Sequence, residues 1–288
     1  MSVRVPRART SLAAKVMRYV FQFGTVWDHL DKLLEGAIAT LWMSSLSMVF
    51  GLALGIACAF LRKSDLTPLR WAASAYVEIF QLMRELGIGF QEKLVPFVEP
   101  GQANPFAHFS PTGKVPCLVD GATTVWDSLA IAEYLAEAHA TVWPADKAAR
   151  AWARSAAAEM HSGFGALRET CSMNCGIRVR IGAFSAAVLK DVARVDALWT
   201  EGLARFGGPY LAGDRFTAVD AFYAPVAFRC QTYSPPLSAT ASQYAARLLA
   251  LASMRDWYAA ALREPWREIE HERETLKHGT LLEDLRTG

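Results

Sequence analysis

Gly36 to Leu61 runs for 26 residues without a charged side chain. A helix of that length rises about 39 Å, against a hydrocarbon core of ~30 Å, so a tilted membrane span fits. Cys230 to Ala246 is also uncharged, but Pro235, Pro236 and many hydroxyls make it unfit to insert. A cleaved signal peptide fits poorly, because the apolar stretch starts late and is too long for an h-region. A buried soluble helix rarely keeps more than about 14 apolar residues in a row. Ser47, Gly51, Gly55 and Ala59 recur every fourth residue. Such a stripe lets another helix approach closely, although Gly and Ser are also simply common in membrane helices. Among the near flanks, Arg18 and Lys32 lie upstream, and Arg62, Lys63 and Arg70 downstream. That tips residue 62 onward toward the cytoplasm, while the farther cluster of Arg4, Arg7, Arg9 and Lys15 argues the other way.

The chain has 288 residues, room for about two domains. Lys plus Arg number 30 and Asp plus Glu 28, a net charge of +2 that speaks against a partner held by bulk charge, such as nucleic acid. With 52% apolar and 20% charged residues the chain is not disordered as a whole. Five cysteines at irregular spacing make no disulfide framework. Thr67-Pro68 reads as an N-cap with Pro at the first helical position. Apolar residues at 69, 72, 73, 76, 77, 80 and 83 predict one amphipathic helix ending near Gly87 and Gly89. Lys93 to Val98 is a strand candidate. Val115 to Val119 and Thr123 to Trp126 predict a hairpin about Asp120-Gly121. Asp127 or Ser128 then caps a helix with Ile131, Tyr134, Leu135 and Ala138 on its apolar face. From Asp146 onward the chain is Ala-rich. It predicts four or five helices and no strand, with breaks near Cys175-Gly176, Gly207 to Pro209, Pro235-Pro236 and Glu264-Pro265 and a frayed polar tail.

Three short motifs bear on chemistry. In Ser110 to Cys117 a Val115-Pro116 step leads into a strand. A cis bond there would free the Val115 backbone to pair with an extended ligand, whereas an ordinary trans proline is the plainer account. The N-terminus of the helix at Asp127-Ser128 suits an anion. Ser128 can donate a hydroxyl and Asp127 can accept from an ammonium, so a zwitterion would match both; plain capping is the commoner use of these residues. Thr217-Ala-Val-Asp220 is a capping box with Asp in the place of Glu, a structural device. Cys171 and Cys175 are four apart, but no histidine pair completes a zinc set, and no metal is expected. Cys117 reads as core.

Two resemblances follow. Trp27 to Phe80, with WDHLDKLLEGAIATLWMSSLSMVFGLALGIACAFLRKSD and YVEIF, resembles the first transmembrane region of amino-acid ABC transporter permeases. It implies a cytoplasmic side for residue 62 onward, and permease or ATPase subunits as partners. One helix cannot enclose a substrate pathway, so this chain is not expected to transport alone. Leu82 to about Glu274 resembles the cytosolic glutathione transferases, through MRELGIGFQEKLVPF, FSPTGKVPCLVDG, DSLAIAEYLAE and GDRFTAVDAFYAPV, with EMHSGF and SMN as in bacterial members. That resemblance implies a thioredoxin-like α/β domain over 81–143, an all-α domain over 144–275 and a tail over 276–288, preceded by the permease-like segment 1–80. It implies glutathione as co-substrate, an electrophilic small molecule, and a homodimer as an allowed assembly. It also implies that cis Val115-Pro116 holds the cysteinyl backbone, that Asp127 and Ser128 take the γ-glutamyl end, and that Lys114 adds a contact. His161 and Asn174 would line the second-substrate side.

The resemblance to the transferases starts inside the first helix of that family, so the opening strand and the catalytic loop are replaced. Lys93 to Val98 would then lack its sheet neighbour, and unpaired buried backbone groups cost about 1–3 kcal/mol each. A glutathione thiol, with a pKa near ~8.5 by analogy with Cys, needs a donor to favour the thiolate. Ser74 is the only hydroxyl near the family's position, and the Thr67-Pro68 start puts it two turns inside a helix. The expectation is a transferase-like module with absent or strongly reduced transfer activity on a membrane helix. The alternatives are a permease fragment carrying a passive module, or a fusion without a joint function.

Overall fold

Proline at position 68 opens the first helix, α1 (Pro68–Glu85), as its fixed φ and missing N–H favour. The computed structural model describes residues 68–96 and 102–287, with isolated positions 27, 34, 35, 38, 42 and 43. The proposed cap Thr67 and nearly all of the uncharged run 36–61 lie outside the described residues, and with them most of the permease-like segment. Trp27, Leu34, Glu35, Ile38, Trp42 and Met43 each have helical backbone and are exposed. No helix among the described residues is long and apolar enough to cross a membrane. Residues 1–64 and 65–288 form two separate units, and the second is described from here on.

The helix α1 stops at Gly87, where φ is +65°. Every side chain from Val77 to Met83 is buried, Glu78 and Gln81 included. The heptad-like spacing predicts one wet face; instead α1 packs chiefly along α6 (Ala218–Tyr233), with α2 (Ser128–Ala138) and α8 (Ala252–Leu262) on other sides. Strands β1 (Cys117–Asp120) and β2 (Thr123–Trp126) form an antiparallel hairpin, with Cys117 opposite Trp126 and Asp120 opposite Thr123. Gly121 supplies the positive φ that the two-residue turn requires. Leu118 and Val125 turn inward and pack against the core. Residues 93–96 form no strand, contrary to the expectation for Lys93 to Val98. Among the described residues the strands before residue 143 are this hairpin alone, and neither of its strands pairs with that segment.

Past residue 143 come α3 (Lys147–Ser162), α4 (Gly165–Thr170), β3 (Ile177–Ile181), α5 (Ala186–Phe206), α6, α7 (Ala239–Leu249), α8, α9 (Ile269–Leu276) and β4 (Gly279–Asp284). Breaks fall where Gly and Pro predict them, but the helices number seven among the described residues rather than four or five. Two further corrections concern β3 and β4. The tail does not fray; it pairs antiparallel with Ile177–Ile181, and the Arg286 guanidinium binds Glu272 and Asp284 at 2.6 and 2.7 Å. Ile177, Val179 and Ile181 alternate with Arg178 and Arg180, so β3 buries one face while its arginines point away. The core centres on Trp199, with Tyr223 and Tyr244 packed edge-on at 5.8 and 5.0 Å between ring centres. Helix α6, buried but for Cys230 and Gln231, carries Asp220, whose carboxylate gathers donors from three chain segments.

Candidate functional site

The hairpin register sets the site. Because Cys117 faces Trp126, the Val115-Pro116 step lies alongside Asp127-Ser128 when the ladder is continued by two residues. The Val115-Pro116 bond is cis, and Val115 is half-exposed. Among the described residues no hydrogen bond uses the Val115 N–H or C=O. The preceding loop is pinned by short-range polar bonds: Asn104 Nδ2 donates to Gly113 O at 2.9 Å, and Ser110 Oγ donates to Lys114 O at 2.6 Å. Lys114 itself projects exposed at the rim.

Between β2 and α2 the chain turns abruptly at Asp127, whose φ is 74°. A non-glycine residue there carries about 1–3 kcal/mol of strain, held only because its surroundings over-determine it. The Asp127 carboxylate accepts the Leu129 N–H at 2.9 Å and caps the helix. Ser128, the first residue of α2, is fully buried. His161, at the end of α3, spans both: its Nε2 is 3.2 Å from Asp127 Oδ2 and its Nδ1 is 3.3 Å from Ser128 Oγ. The ring edge meets Phe222 of α6, and Arg168 Nη1 donates to the His161 carbonyl at 3.1 Å.

Behind this constellation lies Glu78 of α1, 1% exposed, with neither carboxyl oxygen hydrogen-bonded. Burial pushes its carboxyl up to about 8, and the Asp127 charge adds to the rise; Ser128 and the guanidinium groups of Arg168 and Arg229 pull the other way. Burial in turn lowers Arg229 to about 10. The thiols of Cys171, Cys175 and Cys230 are all driven up to about 12 by burial, which removes them as nucleophiles. No cluster that could hold a metal ion occurs among the described residues.

Of the residues singled out in the sequence, His161 of α3 meets Asp127 and Ser128, while Val115 and Pro116, with Lys114 before them, lead into the strand that pairs with the one ending at Trp126. Asn174 is tied elsewhere: its Oδ1 accepts the Gly176 N–H at 3.1 Å and its Nδ2 reaches Glu272 on α9 at 3.4 Å. Ser74 has helical backbone two turns inside α1, away from the start where an ionised group would be favoured. Sequence reasoning missed Glu78, Arg168 and Arg229. A polar residue on an amphipathic helix carries no local mark of burial, and only packing reveals Glu78 as buried.

In chemical terms the arrangement offers helix N–H groups and a hydroxyl for a carboxylate, a carboxylate for an ammonium, and free backbone groups for a peptide. Residues 78–138 match the family model of the glutathione S-transferase N-terminal domain, and residues 182–260 that of its C-terminal domain. A stretch of 61 residues is 43% identical to dichloromethane dehalogenase of Methylophilus leisingeri, covering 20% of this chain and 23% of that protein. A stretch of 63 residues is 33% identical to the glutamate/aspartate import permease protein GltK of Escherichia coli O157:H7, covering 22% of this chain and 28% of that protein. The chain thus spans roughly a quarter of the length of these curated relatives. Among solved structures, a glutathione S-transferase from Rhodospirillum rubrum F11 superposes with a TM-score of 0.51 at 20% identity, over 72% of this chain and 96% of that one. A maleylacetoacetate isomerase from Methylobacterium extorquens AM1, solved with malonate and GSH, superposes with a TM-score of 0.50 at 22% identity, over 68% and 95% of the two chains. The fold is therefore that of the glutathione transferases, a thioredoxin-like lobe followed by a helical one. Both domain models are matched in order inside one unit, so residues 78–138 and 182–260 are similar to the N- and C-terminal domains of the glutathione S-transferases.

Proposed function

We propose that this unit binds glutathione in the cradle of Val115, Pro116, Asp127 and Ser128, and that it conjugates the thiol to electrophiles slowly or not at all. The observation that supports the binding reading is the hairpin register, which, continued by two residues, would bring the Val115 backbone groups beside the positive end of α2. A γ-glutamyl carboxylate would take the helix N–H groups and the Ser128 hydroxyl. Its ammonium would face Asp127, the cysteinyl backbone would pair with Val115, and Lys114 would add a contact at the rim. His161 would stand at the boundary to the second substrate, whereas Asn174, bonded to Gly176 and Glu272, is left out of the site. The isomerase neighbour holds GSH. Weak turnover follows from the helix start at Pro68: the family's opening strand and loop are replaced, and Ser74 lies mid-helix.

Calorimetric titration tests the binding half. Glutathione is expected to bind, and Ser128→Ala to weaken it about tenfold, the worth of one charge-assisted hydrogen bond. Failure of the unsubstituted protein to bind at millimolar ligand overturns the reading. Thiol consumption with a generic electrophile tests the other half. It is expected to run at least ~100-fold below an intact transferase, the range that general acid–base or electrostatic assistance supplies; comparable turnover overturns the impaired site.

A second reading concerns the upstream unit. We propose that residues 36–61 attach the chain to a membrane as a single span, with residue 62 onward on the cytoplasmic side. This is supported by 26 uncharged residues, by exposed Leu34, Ile38, Trp42 and Met43, and by the likeness to an import permease. Docking of that helix among permease or ATPase subunits, or a homodimer of the transferase unit, are the partners this allows. The alternative remains a fused fragment with no joint function. Membrane fractions washed with alkaline carbonate are expected to retain the full chain and to release a chain lacking residues 1–64. Release of both overturns the span.

A further inference from the structure

We propose that Glu78 makes ligand binding at the start of α2 proton-linked, so that its carboxyl must hold a proton for the cradle to accept an anionic ligand carboxylate. The inference rests on the glutathione reading and assigns a specificity-determining role to a residue outside the cradle. Glu78 is enclosed, and neither oxygen meets hydrogen-bond geometry with a donor, although the nearby Ser128 hydroxyl pulls its carboxyl down. Several groups surround it. Ser128 and Asp127 stand at the head of α2, with His161 of α3 between them; Arg168 comes from α4 and Arg229 from α6. From α8 the contact with α1 is neutral, Ser253 Oγ donating to Gln81 Oε1.

The charge balance gives the direction. With Glu78 neutral, the charges of the buried Arg168 and Arg229 guanidinium groups near it are left unopposed and add to the positive end of α2. With Glu78 ionised, its charge opposes theirs and repels an incoming carboxylate through buried protein that screens it poorly. A carboxyl held near 8 is protonated at neutral pH and loses its proton in mild alkali. Ligand binding at pH 8–9 should therefore draw one proton from solvent onto Glu78.

The test is isothermal titration with S-methylglutathione from pH 7 to 9.5, in two buffers of different ionisation enthalpy. The blocked thiol leaves only the ligand ammonium to titrate, and that contribution is common to all proteins compared. The unsubstituted protein is expected to take up about half a proton or more near pH 8.5. Its affinity should fall about tenfold more over the range than that of Glu78→Gln, the equivalent of one pKa unit of linkage. Equal pH profiles for the two, or no proton uptake by the unsubstituted protein, overturn the inference alone. Absence of binding by both at pH 7 overturns the glutathione reading and this inference with it. The uptake measurement needs no variant, so a misfolded substitution does not remove the test.

Discussion

Asp220→Ala is expected to cost on the order of 4–6 kcal/mol and to lower the melting temperature by more than 10 °C. The Asp220 carboxylate is fully buried. It accepts the Leu211 N–H at 3.0 Å, the Thr217 N–H at 2.9 Å, the Thr217 hydroxyl at 3.3 Å and the Tyr244 hydroxyl at 2.7 Å. Truncation leaves those donors without partners in a site closed to water, at about 1–3 kcal/mol for each. It also removes the cap of α6, around which α1, α3 and α7 pack. Folded domains keep only about 5–15 kcal/mol in total, so the loss approaches the whole. Asp220→Asn retains one acceptor and should lose about half as much. Circular dichroism melts of the three proteins check this. An alanine variant melting within about 3 °C of the parent would show that the network is not what holds α6.

For Glu78→Gln the gain should grow with pH. The carboxyl rises from 4.5 to about 8 on folding, chiefly through burial. Between those values the folded chain binds one more proton than the unfolded chain, so stability falls as pH rises, by about 1.4 kcal/mol per unit. The contribution is complete below pH 4.5 and is lost as pH passes through 8. Glutamine mimics the protonated side chain and carries no such dependence. At pH 5 the variant should match its parent or fall slightly below it, because its amide donors gain no partner. By pH 9 it should be more stable than the parent, with a relative change of about 4 kcal/mol over the range. Melting temperatures in a pH series decide the matter: the two curves should diverge toward alkali by roughly 10 °C, and parallel curves would mean that Glu78 does not titrate in this window.

Much of the local structure was legible from residue order. Pro68 as a helix start, Gly87 as a stop, the turn at Gly121, capping by Asp127 and the box from Thr217 to Asp220 all depend on residues within a turn of each other. The nearness of the proposed cradle residues was legible in part for the same reason, while their assignment to glutathione came from the family resemblance. A two-residue hairpin turn fixes the register from Asp120↔Thr123 to Cys117↔Trp126, and two more residues of the same course would bring Val115-Pro116 alongside Asp127-Ser128. Reading the tail as frayed failed because β4 finds its partner about a hundred residues upstream. The alternation in Ile177 to Ile181 was in plain view, but a strand is stable only with a neighbour, and nothing local names that neighbour. The strand expected at Lys93 to Val98 failed for the converse reason: a suitable pattern found no partner in the hairpin.

Taken alone, the order of residues determined where helices start and stop, which hairpin forms, and which backbone and hydroxyl groups stand at the head of α2. Spacing, turn chemistry and capping act over a few residues and hardly depend on the rest of the chain. Only the tertiary structure decided that Glu78 is enclosed, that His161 reaches Asp127 and Ser128 from another helix, and that the C-terminal strand closes on β3. Burial and charge environment are set by segments far apart in the chain, and a helical period marks Glu78 as polar without showing that α6 covers that face.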